Sequence, residues 1–314
     1  MEIIKGLETL QASYPNTVLT MGNFDGIHRG HQLILHWIIK RAEEINGTSM
    51  VVTFEPHPVK VLAPEKEIKM LMTFEEKARI LEVIGIEVML CVTFTRELAN
   101  LSPDAFIEDV LVKKIGVKEV VVGSDLVFGK NRKGTTELLK RRGRELGFKV
   151  KVVRSVVLDG DVVSSSRVRR LLARGNVYEV STLLARAYSI EGDVIRGTGR
   201  GGKVLNIPTV NIRIPDVTVP REGVYAVKVR VKDSFFDGVV NIGRRPTFGG
   251  SGVSYEAHLF NFSGDLLGET IRIYFIDRIR GERCFPDASH LEKQIRNDIE
   301  HAKKILGEKR PTLL

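Results

Sequence analysis

The run Gly22-Asn23-Phe24-Asp25-Gly26-Ile27-His28-Arg29-Gly30-His31 brings together the residue types that phosphate chemistry needs. Glycines at 22, 26 and 30 let backbone amides come close to an anion. His28 and His31 are three residues apart, so at the start of a helix both imidazoles reach the same phosphates. The helix N-terminus adds the positive end of its dipole. Attack on the α-phosphate of a nucleoside triphosphate builds negative charge on the phosphoryl oxygens and on the leaving pyrophosphate. A fixed N–H donor placed there is worth about 3 kcal/mol in the transition state. Positioning and electrostatics then supply the rate, and no protein nucleophile is needed. A glycine-rich turn alone is often only a turn, and a lone histidine is usually surface or satisfied core. Both together, directly behind a strand, point to nucleotidyl transfer.

Five further stretches carry chemical side chains. Gly123-Ser124-Asp125-Leu126-Val127-Phe128-Gly129 ends a buried strand, and Asp125 there either binds a polar ligand edge or caps the turn. Ser164-Ser165-Ser166-Arg167-Val168-Arg169 opens a helix. One serine suffices as an N-cap. Three serines with two arginines suit a pyrophosphate held by hydroxyls, amides and a guanidinium. The glycine-rich stretch from Gly192 to Gly202, including Gly197 and Gly199, precedes Pro208-Thr209-Val210-Asn211. It reads as a surface hairpin, or as a flap over phosphates followed by a hydroxyl and an amide that hold magnesium-ATP. Glu256 and His258 share one strand face, and a carboxylate there deprotonates a substrate hydroxyl or merely faces water. Asn241-Ile242-Gly243-Arg244-Arg245-Pro246-Thr247 is a turn with paired arginines, near phosphate or facing water.

The elements that must position these groups fall into two textures. Strand-like runs at 17–21, 49–54, 87–94, 119–122 and 149–153 alternate with helix-like segments at 32–45, 74–84, 103–114 and 135–146. Apolar strands with helical crossovers mean an α/β unit with a parallel sheet, whose ligands sit at the carboxyl ends of the strands. The Gly22–His31 turn and Glu55-Pro56-His57-Pro58 both fall on that rim. A helical stretch over 166–187, broken at Gly175-Asn176, closes this half. Short alternating strands follow at 189–195, 223–232, 238–242, 254–260 and 270–276, the pattern of a small antiparallel barrel or sandwich. An amphipathic helix over 289–306 ends the pattern. The expected domains are 1–185 and 186–314.

The chain has 314 residues, 43% hydrophobic and 28% charged, which is ordinary for a globular protein and excludes a disordered one. No apolar run approaches the length of a membrane span, and residues 1–5 lack a signal-peptide layout. Cys91 and Cys284 stand far apart, which excludes a disulfide framework and a zinc site and makes the cytoplasm the expected compartment. The net charge of +9 suits an enzyme of phosphorylated substrates as well as a nucleic-acid binder.

In the order in which they occur, these motifs resemble the bacterial bifunctional riboflavin kinase/FAD synthetase family over nearly the whole chain. The family's first domain is a Rossmann-like nucleotidyltransferase that adenylates FMN. Its markers are similar to Gly22-Asn23-Phe24-Asp25-Gly26 with His28 and His31, Thr53-Phe54-Glu55-Pro56-His57-Pro58, Gly123 with Asp125, Phe128 and Gly129, and Ser164 to Arg169. The second domain is a small β-barrel riboflavin kinase with a C-terminal helix. Its markers are similar to Pro208-Thr209 with Asn211, Asn241-Ile242-Gly243 with Pro246-Thr247, Glu256 with His258, and Asp265-Leu266 with Gly268.

The resemblance implies roles. His28 and His31 contact the ATP phosphates, with Gly22, Asn23, Phe24, Asp25 and Gly30 forming the pocket and Ser164, Ser165 and Arg169 holding phosphate. Asp125, Phe128 and His57 lie at the flavin side. In the kinase half, Gly197, Gly199 and Lys203 cover ATP, Thr209 and Asn211 bind magnesium, and Glu256 activates the riboflavin 5′-hydroxyl. ATP and the flavins riboflavin, FMN and FAD are the small-molecule partners, with no nucleic acid and no membrane. Lys203, Asn206, Ile207, Leu126 and Leu267 stand where the family usually has Arg, Gly, Phe, Phe and Tyr. Lysine keeps the charge of arginine without its planar fork. The rival readings are an FAD synthetase with a weak or inactive kinase half, a nucleotidyltransferase for a nicotinamide or pantetheine phosphate, and a nucleic-acid-binding protein using the basic patches.

Overall fold

The computed structural model describes residues 1–11, 14–196, 208–244 and 253–314. By their contacts they form two compact units, Met1–Lys69 with Thr73–Ser164, and Met70–Met72 with Ser165–Leu314.

The first unit is a six-stranded parallel sheet with helical connections. Its strands are β1 (Glu2–Lys5), β2 (Val18–Met21), β3 (Ser49–Glu55), β4 (Val88–Thr93), β5 (Glu119–Gly123) and β6 (Lys149–Val153). The helices are α1 (Arg29–Glu44), α2 (Pro58–Leu62), α3 (Phe74–Ile84), α4 (Arg96–Asn100), α5 (Pro103–Ala105) and α6 (Thr136–Leu146). Strands β2 and β4 are nearly unbroken runs of buried apolar residues, so helices must cover both faces of the sheet. The strand order is β1-β4-β3-β2-β5-β6. The chain builds outward from β2 through β3 and β4, then crosses to the other side for β5 and β6. The order therefore reverses between β2 and β5, and the crevice at that reversal is where open α/β sheets bind ligands. The segment expected as a helix over 103–114 starts as α5 under a Ser102 cap and continues with wider, i→i+5 turns over Phe106–Lys114. Strand β1 escapes sequence reading because only Ile4 of its four residues is buried, too short a signal for a period of two. A small hairpin, β7 (Val157–Leu158) and β8 (Asp161–Val162), ends the unit.

The second unit comprises α7 (Ser165–Arg174), α8 (Val177–Leu184), six strands and a long C-terminal helix α9 (Ala288–Glu308). The strands are β9 (Tyr188–Ile195), β10 (Val210–Arg213), β11 (Gly223–Val231), β12 (Ser234–Arg244), β13 (Val253–Leu259) and β14 (Thr270–Arg280). They close into a barrel in the order β10-β13-β12-β11-β14-β9, antiparallel at every pairing. Closure leaves no unpaired sheet edge. The helices expected to close the first half group with this unit, because α8 packs on β9 and β14 and the Arg221 amide donates to the Leu172 carbonyl of α7 at 2.9 Å. Residues Met70–Met72 join it too, through Tyr188 Oη donating to the Leu71 carbonyl at 2.8 Å. Strand β10 lies in a turn-rich stretch and is only four residues long; its partners β9 and β13 define it, not its own pattern.

Alternation along the strands sorts the barrel core. Val224, Ala226, Val239, Tyr274 and Ile276 pack against Ala302, Ile305 and Leu306 of α9. Tyr225, Val227, Ile242, Ala257, Ile273 and Phe275 fill the other side and are at most 1% exposed. One ion pair ties α9 to the barrel. Arg280 Nε donates to both Asp298 oxygens at 3.1 and 2.9 Å, and Gln294 adds a bond to Oδ1 at 2.8 Å. Asp298 is only 3% exposed. Removing one partner of such a buried pair strands the other charge, so Asp298→Ala is expected to cost about 3–5 kcal/mol. Urea unfolding checks this; a loss under 1 kcal/mol would show that α9 docks through its apolar face alone.

Candidate functional site

The first site grows from the end of β2. Gly22 still bonds to the sheet, its amide donating to the Val52 carbonyl at 3.0 Å. The chain then folds inward, and Phe24, Asp25, Ile27 and His28 are at most 7% exposed. Phe24 and Ile27 have φ of 48° and 39°, conformations that bulky and β-branched residues rarely adopt. Strain of this kind persists only where the surroundings over-determine it.

His28 is the N-cap of α1: its Nδ1 accepts from the His31 amide at 3.4 Å. An accepting Nδ1 carries no proton, so the His28 proton is on Nε2. The His31 ring stacks on His28 with centroids 3.7 Å apart and planes 18° from parallel, and Phe24 lies against its other side at 5.1 Å. His31 Nδ1 is sealed from solvent with no hydrogen-bond partner among the described residues. The two imidazoles thus form a stacked pair at a helix N-terminus. Gly30 lies close beside them: a Cβ there would stand 3.2 Å from the His28 ring, which would have to give by a few tenths of an ångström.

The neighbouring strand ends carry the other expected residues of this unit. After β3, His57 caps α2, its Nδ1 accepting from the Val59 amide at 3.2 Å. After β5, Gly123 makes room for Asp125: a Cβ on it would stand 2.7 Å from the Asp125 carboxylate and 3.6 Å from Ile34 of α1. Phe128 is half-buried, its ring 5.8 Å from Phe106 and its backbone bridged to Gly134. These segments follow β3, β2 and β5, three adjacent strands, so the sheet order brings them to one rim. Ser164 belongs to the same unit, whereas Ser165 and Arg169 of α7 belong to the second. Sequence reading missed Lys77, a lysine on α3 that is 7% exposed and donates to Thr53 Oγ1 at 3.3 Å. Its signal was a charged residue on the apolar stripe of Ala78 and Leu81.

The second site is a row across three barrel strands. Glu256 on β13 pairs directly with Asn211 on β10 and with Asn241 on β12. Directly paired residues point the same way with Cβ atoms about 5 Å apart. Glu256 therefore stands between two amides on one barrel face. His258 shares that face, and its Nδ1 lies 2.8 Å from the Pro208 carbonyl. A carbonyl only accepts, so His258 donates there and ties down the chain just before Thr209. Asn241 was only a marker in the sequence; its place beside Glu256 needs the strand register. Gly197, Gly199, Lys203, Asn206 and Ile207, with Arg245, Pro246 and Thr247, lie outside the described residues.

Burial, the neighbouring His28 ring and Lys77 together hold His31 well below the ordinary imidazole value of 6.5. The folded ring stays neutral where the unfolded chain takes up a proton. Its stability contribution is complete above about pH 6.5 and falls as pH drops below that value. The loss of unfolding midpoint between pH 7 and 5 is therefore expected to be smaller in His31→Gln than in the parent. Equal losses in urea titrations of the two would show that His31 protonates freely in the fold.

The chain matches two family models in series, FAD synthetase over residues 10–167 and riboflavin kinase over residues 184–306. It is 37% identical to a bifunctional riboflavin kinase/FMN adenylyltransferase of Haemophilus influenzae, covering 98% of this chain and all of the relative. It is 36% identical to the protein of that name from Escherichia coli, covering 99% and 100%. A solved structure from Streptococcus pneumoniae, described as a macrolide-efflux protein, is similar with a TM-score of 0.89 and 28% identity, over 96% of this chain and 99% of that one. That description is the other protein's; among the described residues here, no helix is long and apolar enough to cross a membrane. On the two matched domains and the full-length relatives, the chain belongs to the family of bifunctional riboflavin kinase/FAD synthetases, enzymes of flavin cofactor synthesis.

Proposed function

We propose that residues 186–314 phosphorylate riboflavin with ATP and that residues 1–185 adenylate the resulting FMN. The observation that supports this division is the presence of two unlike constellations, one in each compact unit: a stacked imidazole pair at a helix N-terminus, and a carboxylate between two amides on a barrel face.

In the first reaction Glu256 takes the proton of the riboflavin 5′-hydroxyl as that oxygen attacks the γ-phosphorus of ATP, and ADP leaves. Asn211 and Asn241 hold Glu256 and the nucleotide in register, and His258 keeps Thr209 beside them. The Thr209 hydroxyl, the Asn211 amide oxygen and the Glu256 carboxylate are hard oxygen donors, the type magnesium prefers. Among the described residues no group of three or more His, Cys, Asp or Glu forms a dedicated cage. Thr209 and Asn211 would hold a magnesium ion together with ATP phosphates, where it would neutralise phosphate charge.

In the second reaction an FMN phosphate oxygen attacks the α-phosphorus of ATP, and pyrophosphate leaves. The imidazole N–H groups of His28 and His31 donate to the phosphate oxygens as charge builds on them. Neutral imidazoles suit this role, because it asks for donors and not for a proton. Ser164 holds phosphate, Gly197, Gly199 and Lys203 cover ATP in the kinase half, and Asp125, Phe128 and His57 face the flavin. The location is cytoplasmic, a reading supported by Cys91 and Cys284, which are both unpaired.

Chromatography of flavin products from the purified chain with magnesium and ATP tests the division. His31→Ala is expected to slow FAD formation from FMN about 100-fold and to leave FMN formation from riboflavin within about twofold. Glu256→Gln is expected to do the reverse, slowing FMN formation by about 100-fold or more. Loss of both activities in either variant would sink the two-site reading. Gly30→Ala, whose backbone tolerates the change, is expected to slow only FAD formation, about tenfold, by displacing the His28 ring.

A further inference from the structure

Lysine is among the residues least often found fully buried, because removing an ammonium from water is costly. Lys77 is 7% exposed and shares the inner face of α3 with Ala78, Ile80 and Leu81. A methionine of similar length would fill that space without the desolvation cost, and swapping buried ions for apolar residues is often neutral or stabilising. Packing therefore does not explain the charge. What it touches does. Lys77 Nζ donates to Thr53 Oγ1 at 3.3 Å, and Thr53, itself 0% exposed, donates onward to the Asn23 carbonyl at 3.4 Å. Asn23 is the second residue of the phosphate turn. Asp25 in the same turn is 4% exposed, and its negative charge acts on Lys77.

We propose that Lys77 is a positioning residue of the adenylylation site: a buried cation that fixes the Asn23 carbonyl through Thr53 and balances the carboxylate of Asp25. The inference rests on the reading above that the Gly22–His31 turn is that site. A buried, unbalanced carboxylate beneath a triphosphate would repel it. Lys77 opposes that charge from beneath the turn, where the helix N-terminus and the two imidazoles meet the nucleotide.

The charged and titratable groups around this point come from every element packed there. His28 faces His31 from the cap of α1, and Lys77 faces it from α3. Asp25 from the turn, Glu55 from the end of β3 and Cys91 from β4 act on Lys77. Removing the ammonium takes away one of the groups that keep His31 neutral. That change favours the protonated imidazole, so the His31 titration must move to higher pH.

The test uses the full chain with Lys77→Met and Lys77→Arg. In nucleotide-free protein, the His31 ring proton resonance, assigned by its loss in His31→Gln, is expected to titrate at least about half a pH unit higher in the methionine variant and near the parent in the arginine variant. In assays of FAD formation, KM for ATP is expected to rise about tenfold or more in the methionine variant and less in the arginine variant. Riboflavin phosphorylation is expected to stay within about twofold in both, which shows a folded chain. An unmoved His31 titration together with an unchanged KM for ATP would overturn the proposal and make Lys77 a packing residue. Should the methionine variant fail to fold, Lys77→Gln drops the same charge and must show the same titration shift. If the parent made no FAD from FMN, the adenylylation reading would fall, while the titration would still decide whether Lys77 sets the charge of His31.

Discussion

Strand β2 lies inside a sheet covered on both faces, so the chain that leaves it emerges into a space with little water. Charges placed there cannot be solvated and must answer one another. Asp25, His28 and Lys77 are each at most 7% exposed, and they sit within one turn and the helix beneath it. The low effective dielectric strengthens every interaction among them. Burial there helps to hold His31 neutral, and the same turn carries Phe24 and Ile27 at positive φ. A turn so constrained does not reorganise when a polyanion arrives, and this is the condition under which fixed donors are most effective.

The second unit meets the same chemical problem by different means. Among the described residues it has no helix N-terminus at its candidate site. It uses strand register, which aligns Asn211, Glu256 and Asn241 across three neighbouring strands. Closure of the barrel fixes that register, because a shift of one residue would turn every side chain to the opposite face. Helix α9 packs where alternate residues of β11, β12 and β14 meet it. Val239 of that apolar seam and Asn241 of the polar row are two residues apart on β12 and share a face, so the seam and the row are separated along the strands. The two units are linked chemically, since the product of one transfer is the acceptor of the next.

Much of this was legible before any coordinates. Strands β2 to β5 announced themselves as buried runs rich in Val, Leu and Met, and α3 was bounded by Thr73 at one end and Gly85 at the other. Gly22, His28 and His31 could be read as a phosphate turn because their types and spacing have few structural uses. What escaped was short or relational. Strands β1 and β10 have four residues each and are strands only because of their partners. The grouping of α7 and α8 with the barrel depends on packing by Leu172 and by α8, which no local pattern records.

The sequence by itself determined which groups can do chemistry and which segments repeat with a helix or strand period, because residue type and spacing are local properties of the chain. Tertiary structure alone decided what surrounds those groups. The settings of His28 and His31 differ by one accepting nitrogen and one sealed nitrogen. The role of Lys77 follows from a threonine twenty-four residues away, and the setting of Glu256 from a register between strands. Burial and pairing are sums over distant parts of the chain, and a local pattern holds no information about which distant parts will meet.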